Sequence, residues 1–344
     1  MDKVRFTFWV TEECNLRCRY CYVTKQPVVM NQIIAQDCLE FVNKITETEG
    51  YDQSAILISF HGGEPLLNFK IIKYMTEELY KKYSQRIIFR LTSNGMVYDE
   101  NIFSFLIFYK FQLSISIDGT KDSNDLNRID TMGNSSYQTV IRTLDYFKRQ
   151  NYEIRVRMTV NPRNVYLFAK GFTFLFLKGF KGVAFAIDTF DERWNKEYFK
   201  EYEQQLGQII EFLETISPKW SKYYLDNIKS TFLAPRLPCS GGKASFHIDG
   251  NGAVFPCILA VQTPNLCIGN IKEGIDQKKY NELKEINAIE NPGCKSCKAK
   301  DICSAGPCKV INKIQTGDFL LPSNINCSII RVSNNLVERY EKRG

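Results

Sequence analysis

This chain of 344 residues lacks the long apolar segments that enter or cross membranes. Its most apolar stretch, "FSFLIFYKF", is interrupted by Lys110, so it is far shorter than the roughly 20 residues of a membrane-spanning helix. The N-terminus runs from Met-Asp-Lys directly into a strand-like segment and has no apolar core of a signal peptide. We therefore expect a cytoplasmic protein that does not contact a membrane.

Histidine is scarce, and positive charge is not concentrated. The only two histidines, His61 and His247, leave few partners for a zinc site of mixed cysteine and histidine type. The net charge is +7, but Lys and Arg are scattered along the chain, which favours a solvated surface over a nucleic-acid patch. The sequence therefore predicts no nucleic-acid partner.

Cysteine is absent from the 200 residues between Cys38 and Cys239, yet the chain contains twelve cysteines. Four of them precede this gap and eight follow it, ending at Cys327. Disulfides seldom persist in a reducing cytosol, so clustered cysteines there indicate metal binding or redox chemistry. Cys38 lies on a predicted helix and is expected to be a buried thiol instead.

Strand-like and helix-like segments alternate through the first half of the chain, which is typical of a parallel sheet. The chain is 44% apolar, which is ample for a core, but it has no Rossmann glycine fingerprint. We therefore predict an α/β fold, a partial (β/α)6 TIM-like barrel open on one side. The predicted strands are 5–11, 55–63, 87–95, 111–119, 152–161 and 182–190, and the predicted helices include 31–49, 68–83, 134–150 and a long stretch at about 195–230.

The composition changes after the last predicted helix. "APRLP" at 234–238 breaks the helical pattern, and from Cys239 onward Cys, Gly, Pro and Lys are enriched. We expect a first domain over 1–234, comprising the barrel and a bridging helix. A small Cys-rich iron–sulfur domain is expected over 235–344.

Unusual motifs follow four successive predicted strands. Three cysteines follow the first strand, "HGGEP" the second, "SNG" the third and "SIDG" the fourth. Chemistry in barrel folds lies at the carboxyl ends of the strands. The four motifs therefore predict one active site at that end of the sheet.

The first cysteines, Cys14, Cys18 and Cys21, have the spacing C-x-x-x-C-x-x-C. Three thiolates can hold a 4Fe–4S cluster by three irons and leave the fourth iron open. A zinc site would need a fourth ligand nearby, and a thioredoxin-like C-x-x-C pair would leave Cys14 unexplained. "CNLRCRYCY" resembles the signature of the radical S-adenosylmethionine (SAM) enzymes. The resemblance implies that SAM chelates the fourth iron and is cleaved to a 5′-deoxyadenosyl radical, which abstracts hydrogen.

The other motifs resemble the SAM-binding loops of the same family. The resemblance implies that the loop of Gly62, Gly63 and Glu64 binds the SAM amine, with Glu64 accepting from the ammonium. It also implies contacts to the ribose and carboxylate of SAM, and one between the backbone of Tyr20 and the adenine. Arg142 and Arg155 compete with Arg128 for the carboxylate. The residues implied for ribose and carboxylate are Ser93, Asn94, Ser116 and Arg128.

The later cysteines resemble the SPASM extension, which binds two auxiliary 4Fe–4S clusters. The pattern is C-x12-G-x4-C, then C-x2-C-x5-C-x4-C, then a last cysteine, with one residue more than usual in "SAGP". The resemblance assigns Cys294, Cys297, Cys303 and Cys327 to the outer cluster, and Cys239, Cys257 and Cys308 to the inner one. The fourth position of the inner cluster is either open or taken by Cys267. Without the first half of the chain, a zinc ribbon would be an equal alternative.

The family resemblance implies a peptide or protein substrate. The main hypothesis is a maturase that forms a thioether or carbon–carbon crosslink, or a related modification, in a ribosomally made precursor peptide. The alternative is an anaerobic sulfatase-maturase-like enzyme that forms formylglycine. That group usually has an Asp after the second cysteine of the C-terminal motif, serving as a base, and here the position is Ile258. This argues against sulfatase maturation.

The sequence also leaves open an alternative functional class and the partners of the protein. A hypothesis of another class is a non-catalytic iron–sulfur carrier, which would need the cysteines but not the GGEP, SNG and SIDG motifs. The first strand begins at about residue 4, which leaves no N-terminal domain to dock a leader peptide, so we expect any leader peptide to bind another surface or a separate leader-binding protein. A flavodoxin or ferredoxin is the expected electron donor. The sequence names no catalytic base or hydrogen donor.

Overall fold

The computed structural model describes residues 3–48, 50–51, 53–234, 239–304 and 306–342. These residues form two compact units. The first comprises Met1–Ile117, Arg128–Arg157 and Ser240–Asn281, and the second Asp118–Asn127, Met158–Cys239 and Glu282–Gly344. The domain boundary expected at residue 235 falls on residues 235–238, which lie outside the described residues, so that division stays a prediction.

Strands and helices alternate as expected. The strands are β1 (Lys3–Thr11), β2 (Ala55–Gly62), β3 (Ile87–Ser93), β4 (Gln112–Ser116), β5 (Arg155–Val160), β6 (Val183–Ile187), β7 (Ser245–Ile248), β8 (Ala253–Phe255), β9 (Gly269–Asn270) and β10 (Gly274–Ile275). The α-helices are α1 (Gln32–Thr48), α2 (Phe69–Tyr83), α3 (Glu100–Phe108), α4 (Lys121–Asp125), α5 (Tyr137–Arg149), α6 (Phe168–Leu177), α7 (Lys196–Ile216), α8 (Pro218–Ile228), α9 (Gln277–Ala288), α10 (Lys309–Thr316) and α11 (Asn324–Glu341).

The sheet of the first unit has the order β10-β9-β8-β7-β1-β2-β3-β4-β5. The pairs from β1 to β5 are all parallel, and β7 adds to the other side of β1, also in parallel. β7 to β10 then pair antiparallel. An α/β fold with a parallel sheet and a Cys-rich C-terminal region is therefore confirmed. The sequence did not predict that β7, in the Cys-rich half, continues the parallel sheet.

The two faces of this sheet differ in character because successive strand residues point to opposite faces. On one face, Phe6 and Phe246 stack at 5.3 Å between ring centroids, and Phe41 of α1 packs edge-on against both. Burial of each such ring stabilises the fold by about 2–3 kcal/mol. The other face carries polar residues of β1 such as Arg5 and Thr7.

The second unit contains residues 158–160 of β5 and, next in strand order, β6. The Asp188 N–H, directly after β6, donates to the Val160 carbonyl at 2.9 Å. The helices of this unit are joined by aromatic contacts and side-chain hydrogen bonds. Phe172 of α6 packs edge-on against Tyr224 of α8, and the Tyr340 hydroxyl of α11 donates to the Gly207 carbonyl of α7 at 3.1 Å.

The long helix expected at about 195–230 is divided at Ser217. This residue is extended, with φ −173° and ψ 137°, and its hydroxyl accepts from the Lys219 N–H to cap α8. A residue before proline is disfavoured in helical conformation, and Pro218 is a favourable first residue of the next helix. Within the described part of the chain, no helix is both long and apolar enough to cross a membrane.

Candidate active site

The loop with the first three cysteines leaves β1 beside the end of β2. There the Gly63 N–H donates to the Thr11 carbonyl at 2.9 Å, and the Glu64 N–H to the Glu13 carbonyl at 2.8 Å. A Cβ at Gly62 would lie 1.9 Å from the Thr11 oxygen, and one at Gly63 2.0 Å from the Glu13 oxygen. Only glycine permits this approach, so the two glycines position the cysteine loop.

Backbone contacts shape the cysteine loop. The Cys21 N–H donates to the Cys18 carbonyl at 3.1 Å, which closes a turn between these two cysteines. The Arg17 N–H donates to the Ile129 carbonyl at 2.8 Å, and its guanidinium donates to the Cys14 carbonyl at 2.7 Å. Cys14 and Cys18 are half-buried, and Cys21 is exposed. The loop is thus ordered, with its thiols at a partly open edge.

Hydrogen-bond donors face two of these thiols. Cys14 Sγ accepts from the Leu16 N–H at 3.4 Å and from Asn94 Nδ2 at 3.5 Å, and Lys25 Nζ lies 2.9 Å from Cys21 Sγ. Burial raises the pKa of Cys14, and the Leu16 bond partly offsets this. N–H donors to sulfur suit thiolates that ligate a cluster, where they also tune its reduction potential.

Glu64 organises the strand ends around this loop. Its side chain is fully buried, and its carboxylate accepts from the Asn94 N–H at 2.6 Å, the Ser93 hydroxyl at 3.0 Å and the Leu66 N–H at 3.1 Å. Burial raises the pKa of Glu64 to about 7, although these hydrogen bonds act in the opposite direction. A SAM ammonium, as predicted, would be a fourth partner and would favour the carboxylate.

Asn94 joins the second and third motifs to the cysteine loop. Its backbone N–H donates to the Glu64 carboxylate. Its side-chain Nδ2 donates to Cys14 Sγ and to Asn15 Oδ1, the latter at 2.7 Å. Gly95, the next residue, packs closely against Ile115, because a Cβ at this position would lie 3.0 Å from Ile115 Cγ2. The structure therefore brings together the first three predicted motifs through direct contacts.

The remaining predicted SAM contacts lie in the same unit. Ser116 ends β4 and is paired in register with Arg157 of β5. Arg128 is 4% exposed and donates to the Tyr20 hydroxyl at 2.6 Å. Arg128 is thus placed against the cysteine loop, whereas its competitor Arg142 stacks on the Tyr98 ring at 3.8 Å. The individual contacts to SAM stay predictions.

Four of the later cysteines lie close together in the second unit. Burial raises the pKa of Cys294, and the charges of Cys303 and Cys297 raise it further. The pKa of Cys327, on α11, is raised by burial and by the charges of the other three cysteines. The Gly306 N–H donates to Cys303 Sγ at 3.3 Å, and a Cβ at Gly306 would lie 3.2 Å from Cys294 Sγ. This cradle of thiols fits the predicted outer cluster.

In the described ranges, no three His, Cys, Asp or Glu side chains close around a point where one metal ion would sit. A 4Fe–4S cluster spreads its cysteines over four irons. The predicted inner-cluster ligands Cys239 and Cys308 belong to the second unit, and Cys257 and Cys267 to the first. This ligand set stays a prediction.

Sequence reasoning missed Gln262. This residue has φ +72° and holds the cysteine loop by its side-chain amide, which contacts Thr24 and Glu12. No motif in the sequence marks it, because the contact joins positions about 240 residues apart. Asp188 and Asp191, which follow β6, accept from the N–H groups of Phe190 and Arg193, as in capped turns.

Two family models match this chain. Residues 10–165 match the radical SAM superfamily, and residues 239–298 match SPASM, an iron–sulfur cluster-binding domain. These ranges contain the first cysteine loop and the start of the second cysteine region. The domains imply 4Fe–4S clusters and SAM as cofactors.

Among curated proteins, the chain is 26% identical over 321 residues to a cysteine-type anaerobic sulfatase-maturating enzyme of Clostridium perfringens, covering 85% of each chain. Among solved structures it is similar to native anSMEcpe with bound AdoMet and Kp18Cys peptide, with a TM-score of 0.80, 22% identity and coverage of 98% of both chains. Streptococcus suis SuiB bound to precursor peptide SuiA has a TM-score of 0.67 and 14% identity, covering 94% of this chain and 75% of that one. These two structures support the fold alone.

Proposed function

Because the chain carries a radical SAM domain and a SPASM domain, we propose that this enzyme matures a ribosomally made peptide by oxidative crosslinking or a related modification. The observation that carries the catalytic part is Asn94, whose backbone bonds Glu64 and whose side chain contacts Cys14 Sγ. This residue links the loop proposed for the SAM amine to the loop proposed for the cluster. When bound, cluster and SAM supply reductive SAM cleavage and removal of a hydrogen atom from substrate.

The residues of this chain supply placement. Cys14, Cys18 and Cys21 would hold the SAM-binding cluster, and the buried Glu64 would fix the amine of SAM. Arg128 would pair with its carboxylate as a two-pronged donor. Cys294, Cys297, Cys303 and Cys327 would hold an outer auxiliary cluster, which would supply one-electron redox chemistry. A flavodoxin or ferredoxin would supply the electron for SAM cleavage, and a separate protein would bind any leader peptide.

Formylglycine formation is the second candidate, favoured by the similarity to the sulfatase-maturating enzyme of Clostridium perfringens. Ile258, directly after Cys257, argues against it because an aliphatic side chain cannot accept the proton that this oxidation releases. The relatives act, by their names, on sulfatases or carry bound peptides, so both candidates share a peptide-like substrate.

The test is anaerobic reconstitution followed by incubation with SAM, a reductant and one of two sets of peptides. The first set is encoded by the small open reading frames beside the gene, and the second is a cysteine-containing sulfatase peptide. We expect 5′-deoxyadenosine and the loss of two hydrogen atoms from a peptide of the first set, with neither product in Cys18→Ala. Conversion of the sulfatase cysteine to formylglycine by the unmodified enzyme would establish the second candidate. If our proposal holds, only the Ile258→Asp variant should be able to form formylglycine. Absence of 5′-deoxyadenosine would support a non-catalytic carrier.

A further inference from the structure

Four arginines lie on the polar face of the sheet in the first unit. Their positions follow from the register, because residues side by side in parallel strands point to the same face. Thr7 pairs with Ser59 and Ser59 with Arg90, so Arg90 shares a face with Arg5, two residues before Thr7. Through Gln112 and Ser114, the same face continues to Arg155 and Arg157. All four side chains are exposed.

This arginine face, defined by Arg5, Arg90, Arg155 and Arg157, lacks compensating acids. Among the ion pairs formed by the described residues, none includes these four arginines. Arg90 Nε donates to Gln112 Oε1 at 2.9 Å, a neutral partner. Partial desolvation against the sheet lowers the pKa of Arg90, and the positive charges of Arg5 and Arg155 lower it further. Like charges that face one another cost stability, and an anionic ligand would relieve that cost.

The arginine face leads toward the candidate active site. Arg157 is the register partner of Ser116, one of the proposed SAM contacts. Arg90 lies three residues before Ser93 on β3, which is about 10 Å along a strand. A ligand held by these arginines would therefore reach the strand ends where SAM is expected to bind.

We propose that the arginine face binds the carboxylates of an acidic substrate peptide and thereby directs its target residue to the SAM-binding edge. The proposal rests on the proposed function, since it specifies the substrate class of that enzyme. Guanidinium groups match carboxylates as two-pronged donors. Arg5, Arg90 and Arg155 stand on every second strand, and each lies two residues further along the sheet than the one before, so neighbours are about 12 Å apart. In an extended peptide, residues four apart span about 13 Å and point to the same side. The favoured substrate therefore carries Asp or Glu at every fourth position.

The experiment measures binding of two dansyl-labelled peptides, Glu-Gly-Gly-Gly-Glu-Gly-Gly-Gly-Glu and its Gln counterpart, to the reconstituted holoenzyme by fluorescence anisotropy. No reductant or SAM is added. We expect the acidic peptide to bind about tenfold more tightly than the Gln peptide at low salt, and less so at high salt. Arg90→Gln/Arg155→Gln should abolish that difference. The matched control Lys148→Gln/Arg149→Gln, which removes two exposed charges at the end of α5, should retain it.

Three results would overturn the proposal: equal affinity for both peptides, equal loss in both double variants, or a dT7 oligonucleotide that binds through Arg90 and Arg155 more tightly than the acidic peptide. Cluster absorbance and thermal unfolding verify that each variant is folded, and relief of repulsion should leave the Arg90→Gln/Arg155→Gln variant at least as stable as the parent. Because binding is measured without turnover, a failed mass shift would count against the proposed function and not against this proposal.

Discussion

Gln262 Nε2 donates to Glu12 Oε2 at 2.7 Å and to the Thr24 carbonyl at 2.7 Å, while its Oε1 accepts from the Thr24 N–H at 2.9 Å. One side chain from the SPASM region thereby contacts residues on both sides of the first cysteine loop. Because Glu12 is 5% exposed, its carboxylate needs that donor. The second cysteine region thus supports the first through this residue.

Gln262→Ala should therefore destabilise the protein. It removes a donor from a buried carboxylate, and such changes cost about 1–3 kcal/mol in the free energy of unfolding. Urea unfolding monitored by circular dichroism measures this loss. Gln150→Ala, at the exposed end of α5, is the control and should change stability by less than about 0.5 kcal/mol. Equal effects of the two substitutions would contradict a supporting role for Gln262.

The strands and their end motifs could be predicted because each depends on local pattern. β1 to β6 coincide with the predicted runs, and Glu64 and Asn94 contact each other as expected for motifs at neighbouring strand ends. Gln262 could not be predicted, since its role depends on a contact between distant positions. The Ser217-Pro218 pair is a sequence signal for the start of a helix, so the break at Ser217 could have been predicted. The apolar periodicity on both sides instead favoured one continuous helix.

Gly63→Ala should prevent assembly of the cysteine loop. Its Cβ would lie 2.0 Å from the Glu13 carbonyl oxygen, a backbone atom that cannot move aside without displacing the loop. We expect a loss of at least about 3 kcal/mol in unfolding free energy and a reduced iron content after reconstitution. Gly207→Ala is the control, since its Cβ would meet only Tyr340 Oη at 3.7 Å within a helix. Normal iron content in the Gly63 variant would refute the positioning role of this glycine.

Glu64 should make stability fall as the pH rises. Its folded pKa of about 7 exceeds its ordinary value of 4.5, so the native state binds a proton that the unfolded state releases. The contribution is fully present below about pH 4.5, and about 3 kcal/mol is lost by the time the pH exceeds 7. Asp188, whose pKa is raised to about 6, acts in the same direction. Glu64→Gln should flatten this slope in urea unfolding of the cluster-free protein, whereas the exposed Glu78→Gln should not.

Iron content after reconstitution should distinguish the cysteines that ligate auxiliary clusters from those that do not. Cys297→Ala removes a proposed ligand of the outer cluster, so we expect about four fewer iron atoms per chain after reconstitution. Cys38→Ala should leave iron content unchanged, because Cys38 is fully buried in the core. Cys267 Sγ contacts the Gly269 carbonyl at 3.2 Å. If Cys267 ligates the inner cluster, Cys267→Ala should lose iron as Cys297→Ala does. Unchanged iron would assign it to the core.

Lys309 should raise the reduction potential of the outer cluster. The side chain is 2% exposed, donates to Asn291 Oδ1, and interacts electrostatically with the thiols of Cys294 and Cys308. A buried positive charge near ligating sulfur stabilises the more negative, reduced state. Lys309→Met should therefore lower the midpoint potential by on the order of 50 mV, close to the 59 mV that equals a tenfold change for one electron. Redox titration followed by electron paramagnetic resonance measures the shift. The exposed Lys298→Met should leave the potential unchanged, and an equal shift in both variants would mean that burial of the Lys309 charge has no special effect.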